Sequence, residues 1–157
     1  TGADMNIMLS DKRPVKDIDY GYVGDVKKVN SPLLSSLIWQ GIVPILAPLT
    51  HDGQGHILNT NADTIAGEAA KALASHFDVT LTFCFEKKGV LMDENDDDSV
   101  IRQITKADFE KLIANNIVQG GMIPKLENAF AAIDAGVKRV VITEASELGK
   151  ESGTVVC

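Results

Sequence analysis

The strongest constraint this sequence places on its fold is the alternation of short, wholly apolar runs with longer amphipathic ones. Val43-Pro44-Ile45-Leu46-Ala47 and Val140-Val141-Ile142-Thr143 read as strands buried on both faces, the mark of a parallel sheet. Val79-Thr80-Leu81-Thr82-Phe83-Cys84-Phe85 is a further strand, and Gly89-Val90-Leu91-Met92 a short one. Helical patterns lie between them. The first is capped by Asn30 or Ser31, with Pro32 in its first turn, and stops at Gly41. A second covers 61–76, with Ala62, Ile65, Ala66, Ala69, Leu73 and Phe77 at helical spacing. A third covers 105–115 and opens with the capping-box variant Thr105-Lys106-Ala107-Asp108. The last runs from about Met122 to Ala135 and is ended by Gly136. Asp11 to Asn30 has a hairpin pattern, and Gly153-Thr154-Val155-Val156 reads as an edge strand. Together they predict an α/β fold with a mostly parallel sheet between two helix layers. Ligands in such sheets bind beyond the carboxyl ends of the strands, so the turns at 59–63, 84–89 and 143–153 are where chemistry is expected.

A chain of 157 residues has the size of one domain and enough apolar content for a core. No apolar run approaches the roughly 20 residues of a membrane span, so no membrane role is expected. The formal charge of -7 speaks against a nucleic-acid partner, whose phosphates require clustered Lys and Arg. Cys84 and Cys157 are too few for a disulfide framework. Cys84 sits in an apolar run and is expected to be a buried thiol, which suits a reducing, cytoplasmic setting. An acidic chain that binds phosphate must concentrate its positive charge locally, which directs attention to single lysines.

Two helix starts carry the chemistry. Asn59-Thr60-Asn61-Ala62-Asp63 turns a strand-like Ile57-Leu58 into an Ala-rich helix, with polar side chains where N–H groups and the dipole point outward. Such a junction suits an anion. Thr60 and Asp63 also have capping-box spacing, which offers a purely structural role for the carboxylate. Lys125 follows Gly120-Gly121-Met122-Ile123-Pro124 near the first turn of its helix, where a cation opposes the dipole by about 0.3–1 kcal/mol. Exposed N–H groups at the Gly pair and an ammonium would form an anion clamp; the plain alternative is a solvated lysine. The acidic run Asp93-Glu94-Asn95-Asp96-Asp97-Asp98 fails the calcium-loop pattern, having Asp98 where Gly is required and Ile104 where Glu is. His51, His56 and His76 lack zinc spacing. Neither a phosphate-binding Gly-rich loop ending in Gly-Lys-Ser/Thr nor Gly-x-Gly-x-x-Gly occurs, so a nucleotide site must be of another kind.

Several stretches, in order along the chain, resemble the amino acid kinase family. They are Tyr22-Val23-Gly24-Asp25-Val26 with Val29-Asn30, Val43-Pro44-Ile45 with Pro48, Asn59-Thr60-Asn61-Ala62-Asp63, Gly89-Val90-Leu91, Gly120-Gly121-Met122-Ile123-Pro124-Lys125, Ala135-Gly136-Val137, and Gly153-Thr154. The Asn-x-Asn-Ala-Asp and Gly-Met-Ile-Pro-Lys pair is similar to the branch that acts on N-acylated glutamate. The resemblance implies ATP-dependent phosphorylation of a side-chain carboxylate, with Mg²⁺ bridging the nucleotide phosphates and a place in arginine biosynthesis. N-acetyl-L-glutamate is the implied acceptor, with N-succinylglutamate or another carboxylate as the alternative, and a non-catalytic nucleotide-binding module as a different class of reading. By position, Lys125 would stabilise the transferring phosphoryl group, Asp63 would organise the catalytic lysines, and Asn59 and Asn61 would hold the substrate. Glu86, Gly120, Gly121 and Met122 would border the nucleotide, and no metal is expected to be held by protein ligands.

The family also opens with a strand carrying Lys and a Gly-Gly turn, whereas Gly-Gly occurs here only at 120–121. The expectation is therefore a C-terminal portion: 1–57 as the remainder of an acyl-amino-acid lobe and 58–157 as the nucleotide lobe. Such a portion is expected to show little kinase activity alone, and the full-length protein to form homo-oligomers. Phe85-Glu86-Lys87-Lys88 stands where relatives carry Thr or Ser then Asp, and Glu144 to Ser152 is short for the family.

Overall fold

The hairpin pattern of residues 11–30 forms because two strands of opposite direction need only a short excursion between them. In a computed structural model, β1 (Met8–Lys12) pairs antiparallel with β2 (Gly24–Val29), from Met8↔Val29 to Lys12↔Gly24. The structure describes residues 1–150 and 152–157. Its chain divides into two compact units, Thr1–Phe77 and Asp78–Cys157.

In the first unit β3 (Leu49–His51) lies parallel to β1 and antiparallel to β4 (Ile57–Asn59), giving the order β2-β1-β3-β4. Gly24 is required there: a Cβ on it would stand 2.8 Å from that of Leu58, a fully buried residue of β4. α1 (Ser31–Trp39) starts at Asn30, whose side chain accepts the Leu33 N–H, with Pro32 in the first turn. α2 (Ala62–Leu73) packs on α1 and β2. The core is Ile7, Met8 and Ile65, closed by Val26, Val29, Leu33, Leu37, Leu46 and Ala69.

The second unit is built on β5 (Thr80–Phe85) and β7 (Arg139–Glu144), parallel and in register from Thr80↔Arg139 to Phe85↔Glu144. β8 (Thr154–Val156) adds antiparallel to β7, and β6 (Gln103–Ile104) adds parallel to β8, so the order is β5-β7-β8-β6. α3 (Lys106–Ala114) has the capping box its sequence predicts, with Thr105 and Asp108 bonded reciprocally. α4 (Met122–Asp134) buries Leu126, Ala129, Phe130 and Ala132 and packs on β7 and β8. Phe109 of α3 meets Phe130 of α4 with ring centroids 5.5 Å apart.

The α/β class stands, with helices on both sides of the strands, but the details differ from the expected single, mostly parallel sheet. Two four-stranded sheets form, and both are mixed, because β1–β2 and β3–β4 are hairpins and β8 returns against β7. Val43–Ala47 is not a strand: Val43 is 81% exposed and Ile45 89%. Gly89–Met92 contributes a single bridge, Leu91↔Val100. β8 is interior rather than an edge, since it pairs with β7 on one side and β6 on the other; its fully buried Thr154 hydroxyl also donates to the Ile101 carbonyl and accepts the Val90 N–H. Cys84 is exposed, since it alternates with the inward Phe83 on β5. β4 and α2 pack within the first unit. Among the described residues no helix is long and apolar enough to cross a membrane.

Leu126 is the fully buried anchor of α4. Leu126→Ala is expected to destabilise the protein by about 2–5 kcal/mol in urea unfolding, and a loss below about 1 kcal/mol would contradict this packing.

Candidate functional site

In the first unit the chain leaves β4 at Asn59 and enters α2 at Ala62. Asn59 is exposed at the strand end, its N–H donating to the Tyr22 carbonyl at 2.8 Å. Asn61, in extended backbone, is the cap, and its side-chain oxygen accepts the Thr64 N–H at 3.0 Å. Thr60 does not cap. It is buried, with its hydroxyl 3.0 Å from the Thr50 hydroxyl and 3.3 Å from the Gly24 carbonyl. The Thr60–Asp63 capping box is therefore not the one used, and half-buried Asp63 stands in the first turn, where the dipole favours a carboxylate. Asn59, Asn61 and Asp63 thus share one short turn.

Beside this turn, the β3–β4 connection closes on Asp52. Its carboxylate accepts the Gln54 N–H at 2.7 Å and the His56 N–H at 3.1 Å, and pairs with His56 Nδ1 at 2.6 Å. These bonds, the Gln54 N–H foremost, hold the Asp52 carboxyl down at about 2. The Lys12 ammonium lies 5.0 Å from the Tyr22 ring centre, and that ring is 5.8 Å from His56. Asp11, Lys12, Tyr22, Asp52, Gln54 and His56 line an open hollow of about 320 Å³. Sequence spacing did not reveal this cluster, because Lys12 and His56 reach the same hollow only through strand pairing.

In the second unit Gly120, Gly121 and Met122 come together on a cleft of about 780 Å³, which Phe85, Lys87, Leu91 and Ile117 also line. Gly120 needs its glycine, having φ +53°. Glu86 is exposed at the end of β5 and does not line the cleft, whereas its neighbour Lys87 does. Lys87 bonds Asp97 at 2.9 Å and Lys88 bonds Asp98 at 3.0 Å, so the acidic loop is fastened to the turn after β5. The Asp97 carboxylate holds the Lys87 ammonium above its ordinary value and is itself lowered by it.

α4 opens at Gly121, which makes Met122, Ile123 and Pro124 its first turn. The Met122 N–H donates to Gln119 and the Ile123 N–H to Gly120, while proline has none. The expected row of exposed first-turn N–H groups is thus mostly taken. Lys125 stands one turn along from this start. The Lys125 ammonium lies 5.0 Å from the Phe83 ring centre and 5.9 Å from that of Phe85. These rings lie on one face of β5, and Phe85 also borders the cleft. The alternation Phe83-Cys84-Phe85 carried that signal. Lys125 and Asp63 belong to different units.

The amino acid kinase family profile matches residues 1–144. The chain is 72% identical over 156 residues to acetylglutamate kinase from Parabacteroides distasonis, covering 99% of itself and 61% of that relative. It therefore spans about three fifths of the length of such relatives. Among solved structures, smu.665 from Streptococcus mutans is 34% identical with a TM-score of 0.78, over 96% of this chain and 56% of that one. N-acetylglutamate synthase from Neisseria gonorrhoeae, in complex with coenzyme A and N-acetyl-glutamate, is similar in fold. There the TM-score is 0.83 at 19% identity, over 97% of this chain and 36% of that one.

Asn61→Ala is expected to cost about 0.5–2 kcal/mol of stability through the lost cap, measured by urea unfolding without any ligand. No change would mean that the Asn61 side chain does not hold the helix. Asp52 gives a pH signature. Its folded value of about 2 lies below the ordinary aspartate value of 3.8, so its contribution is present above pH 4 and is lost as pH falls through 2. The stability gap between the protein and Asp52→Asn should narrow between pH 4 and pH 2, and a gap constant over that range would refute the assignment.

Proposed function

The chain belongs to the amino acid kinase family, and from that premise we propose that its protein phosphorylates the side-chain carboxylate of N-acetyl-L-glutamate. The observation that carries this reading is the start of α4, where Lys125 rests over Phe83 and Phe85 beside a cleft lined by Gly120, Gly121 and Met122. A cleft of about 780 Å³ with a mixed polar and apolar lining and glycine backbone falls in the range of small-molecule sites. The cleft beside Lys125 would hold ATP with Mg²⁺, which would supply the phosphoryl group. Phe85, Leu91 and Met122 would receive the base, and Gly120 and Gly121 permit close approach of the backbone. Glu86 would stand at the rim.

Lys125 neutralises charge that spreads over the phosphoryl oxygens in the transition state, and its aromatic floor limits where the ammonium can go. Asp63, in the first turn of α2, orients cationic groups. Asn61 spends its amide oxygen on the cap, which leaves its NH₂ to donate to a substrate carboxylate, and Asn59 donates from the strand end. Little covalent work is asked of the protein, because positioning and charge neutralisation supply the rate in such transfers.

The product is an acyl phosphate, which hydroxylamine traps as a hydroxamate. In the chain completed to its relatives' length, ATP with N-acetylglutamate is expected to give that hydroxamate. Preference for N-succinylglutamate would move the reading to the alternative acceptor. Lys125→Ala is expected to lower kcat/KM about 10²–10³-fold with the fold intact. An unchanged turnover number would sink the catalytic assignment.

A further inference from the structure

A nucleoside triphosphate is strongly anionic, so a cleft that holds one has to offset any acidic lining of its own. Asp93 and Glu94 both border the cleft of the second unit, and among the described residues that line it Lys87 is the one cation. Lys88, next along the same turn, does not line it. The turn is short and pinned at both ends. Phe85 closes β5 in register with Glu144, and a Cβ on Gly89 would stand 2.7 Å from Val100 Cγ1 and 2.8 Å from the Thr154 hydroxyl. Lys87 is thereby kept at the cleft.

Its ammonium is already engaged, with Asp97 Oδ1 of the acidic loop at 2.9 Å. The two side chains are 40% and 64% exposed, and an ion pair so open to water holds weakly. The loop has other bonds that keep its shape. Ser99 Oγ donates to the Asp96 carbonyl at 2.6 Å and accepts the Asp93 N–H at 3.0 Å, while the Met92 N–H donates to the Ser99 carbonyl at 2.8 Å. Asp98 draws Lys88 aside in the same manner. One exposed carboxylate is a poor rival to a phosphate, which carries more charge and more acceptor oxygens.

We propose that Lys87 is a further phosphate-binding residue of the nucleotide cleft and that Asp97 is its built-in competitor. A nucleoside di- or triphosphate takes over the ammonium and leaves the carboxylate to water. One charge-assisted hydrogen bond is exchanged for another, and no covalent bond changes. Asp97 thus sets how much nucleotide is needed, since the ammonium leaves it before serving the cleft. The inference rests on the kinase reading, because it takes this cleft to be the nucleotide site.

The test is calorimetric binding of adenosine, and of ATP with Mg²⁺, to the chain completed to its relatives' length. Lys87→Gln is expected to weaken ATP binding by about tenfold and to leave adenosine binding and the unfolding midpoint unchanged. Asp97→Asn is expected to tighten ATP binding by about three- to tenfold, and to lose that effect once Lys87 is replaced by Gln. Asp98→Asn removes the same charge from the same loop but releases only Lys88, so it should leave ATP binding unchanged. Equal losses of ATP and adenosine binding in Lys87→Gln would overturn the proposal. So would weaker ATP binding in Asp97→Asn, which would make Asp97 a positioning partner, or equal tightening in Asp98→Asn, which would reduce the effect to loop charge. Hydroxamate formation reads the kinase assignment separately. If it proceeds while Lys87→Gln binds ATP as tightly as the unaltered protein, this inference fails alone; if neither adenosine nor ATP binds, both fail.

Discussion

The parallel pairing of β5 with β7 is the constraint on which the second unit depends, because two parallel neighbours cannot be joined by a tight turn. Their ends must be linked by a crossover, and residues 86–138 are that crossover. They hold the turn at Lys87-Lys88, the acidic loop, β6, α3, the Gly pair and α4. Six residues in register bring Phe85 and Glu144 to one edge, and the cleft lies at the Phe85 end, beside the start of α4. Burial of Phe83, Val140, Ile142 and Leu126 holds that edge in place. The site residues are therefore positioned by a core to which they contribute little.

At the start of α4 two electrostatic effects of similar size compete. A lysine in the opening turns of a helix opposes the dipole by about 0.3–1 kcal/mol. An ammonium over aromatic faces gains about 0.5–2 kcal/mol, more as it is desolvated, and Lys125 is half-buried over two rings. The shelf of Phe83 and Phe85 thus matches or exceeds the dipole penalty. A cation is held where an isolated helix would disfavour it, and that is the arrangement a phosphate requires. At α2 the senses agree: Asp63 complements the dipole, and Asn61 closes the first turn.

The helices were legible because their signals are local. Asn30, Thr105 with Asp108, and Gly136 mark ends within one turn of where they fall. At α2 the cap moved from Thr60 to Asn61, because the Thr60 hydroxyl faces Thr50 and Gly24, partners brought in by β3 and β2. Strand order was less legible. Thr154–Val156 looked like an edge, yet it lies between β7 and β6, which only its pairing with both reveals. The apolar run at Val43–Ala47 has the composition of an interior strand and no partner within the described residues to make it one.

Local chemistry along the chain was enough to establish the α/β class, the helix ends, the glycine turns, and the motif residues Asn59, Asn61, Asp63 and Gly120 to Lys125. Capping, periodicity and backbone freedom act within a few residues, so they can be read in order. Only the tertiary structure decided that the sheets are two and mixed, that Asp52 anchors a turn against His56, and that Phe83 and Phe85 underlie Lys125. Apart from the Asp52–His56 pair, four residues apart, these arrangements join residues far apart in sequence, such as Phe83 with Lys125 and Thr80 with Arg139. Their energy comes from strand pairing and burial, which depend on which distant neighbour is present.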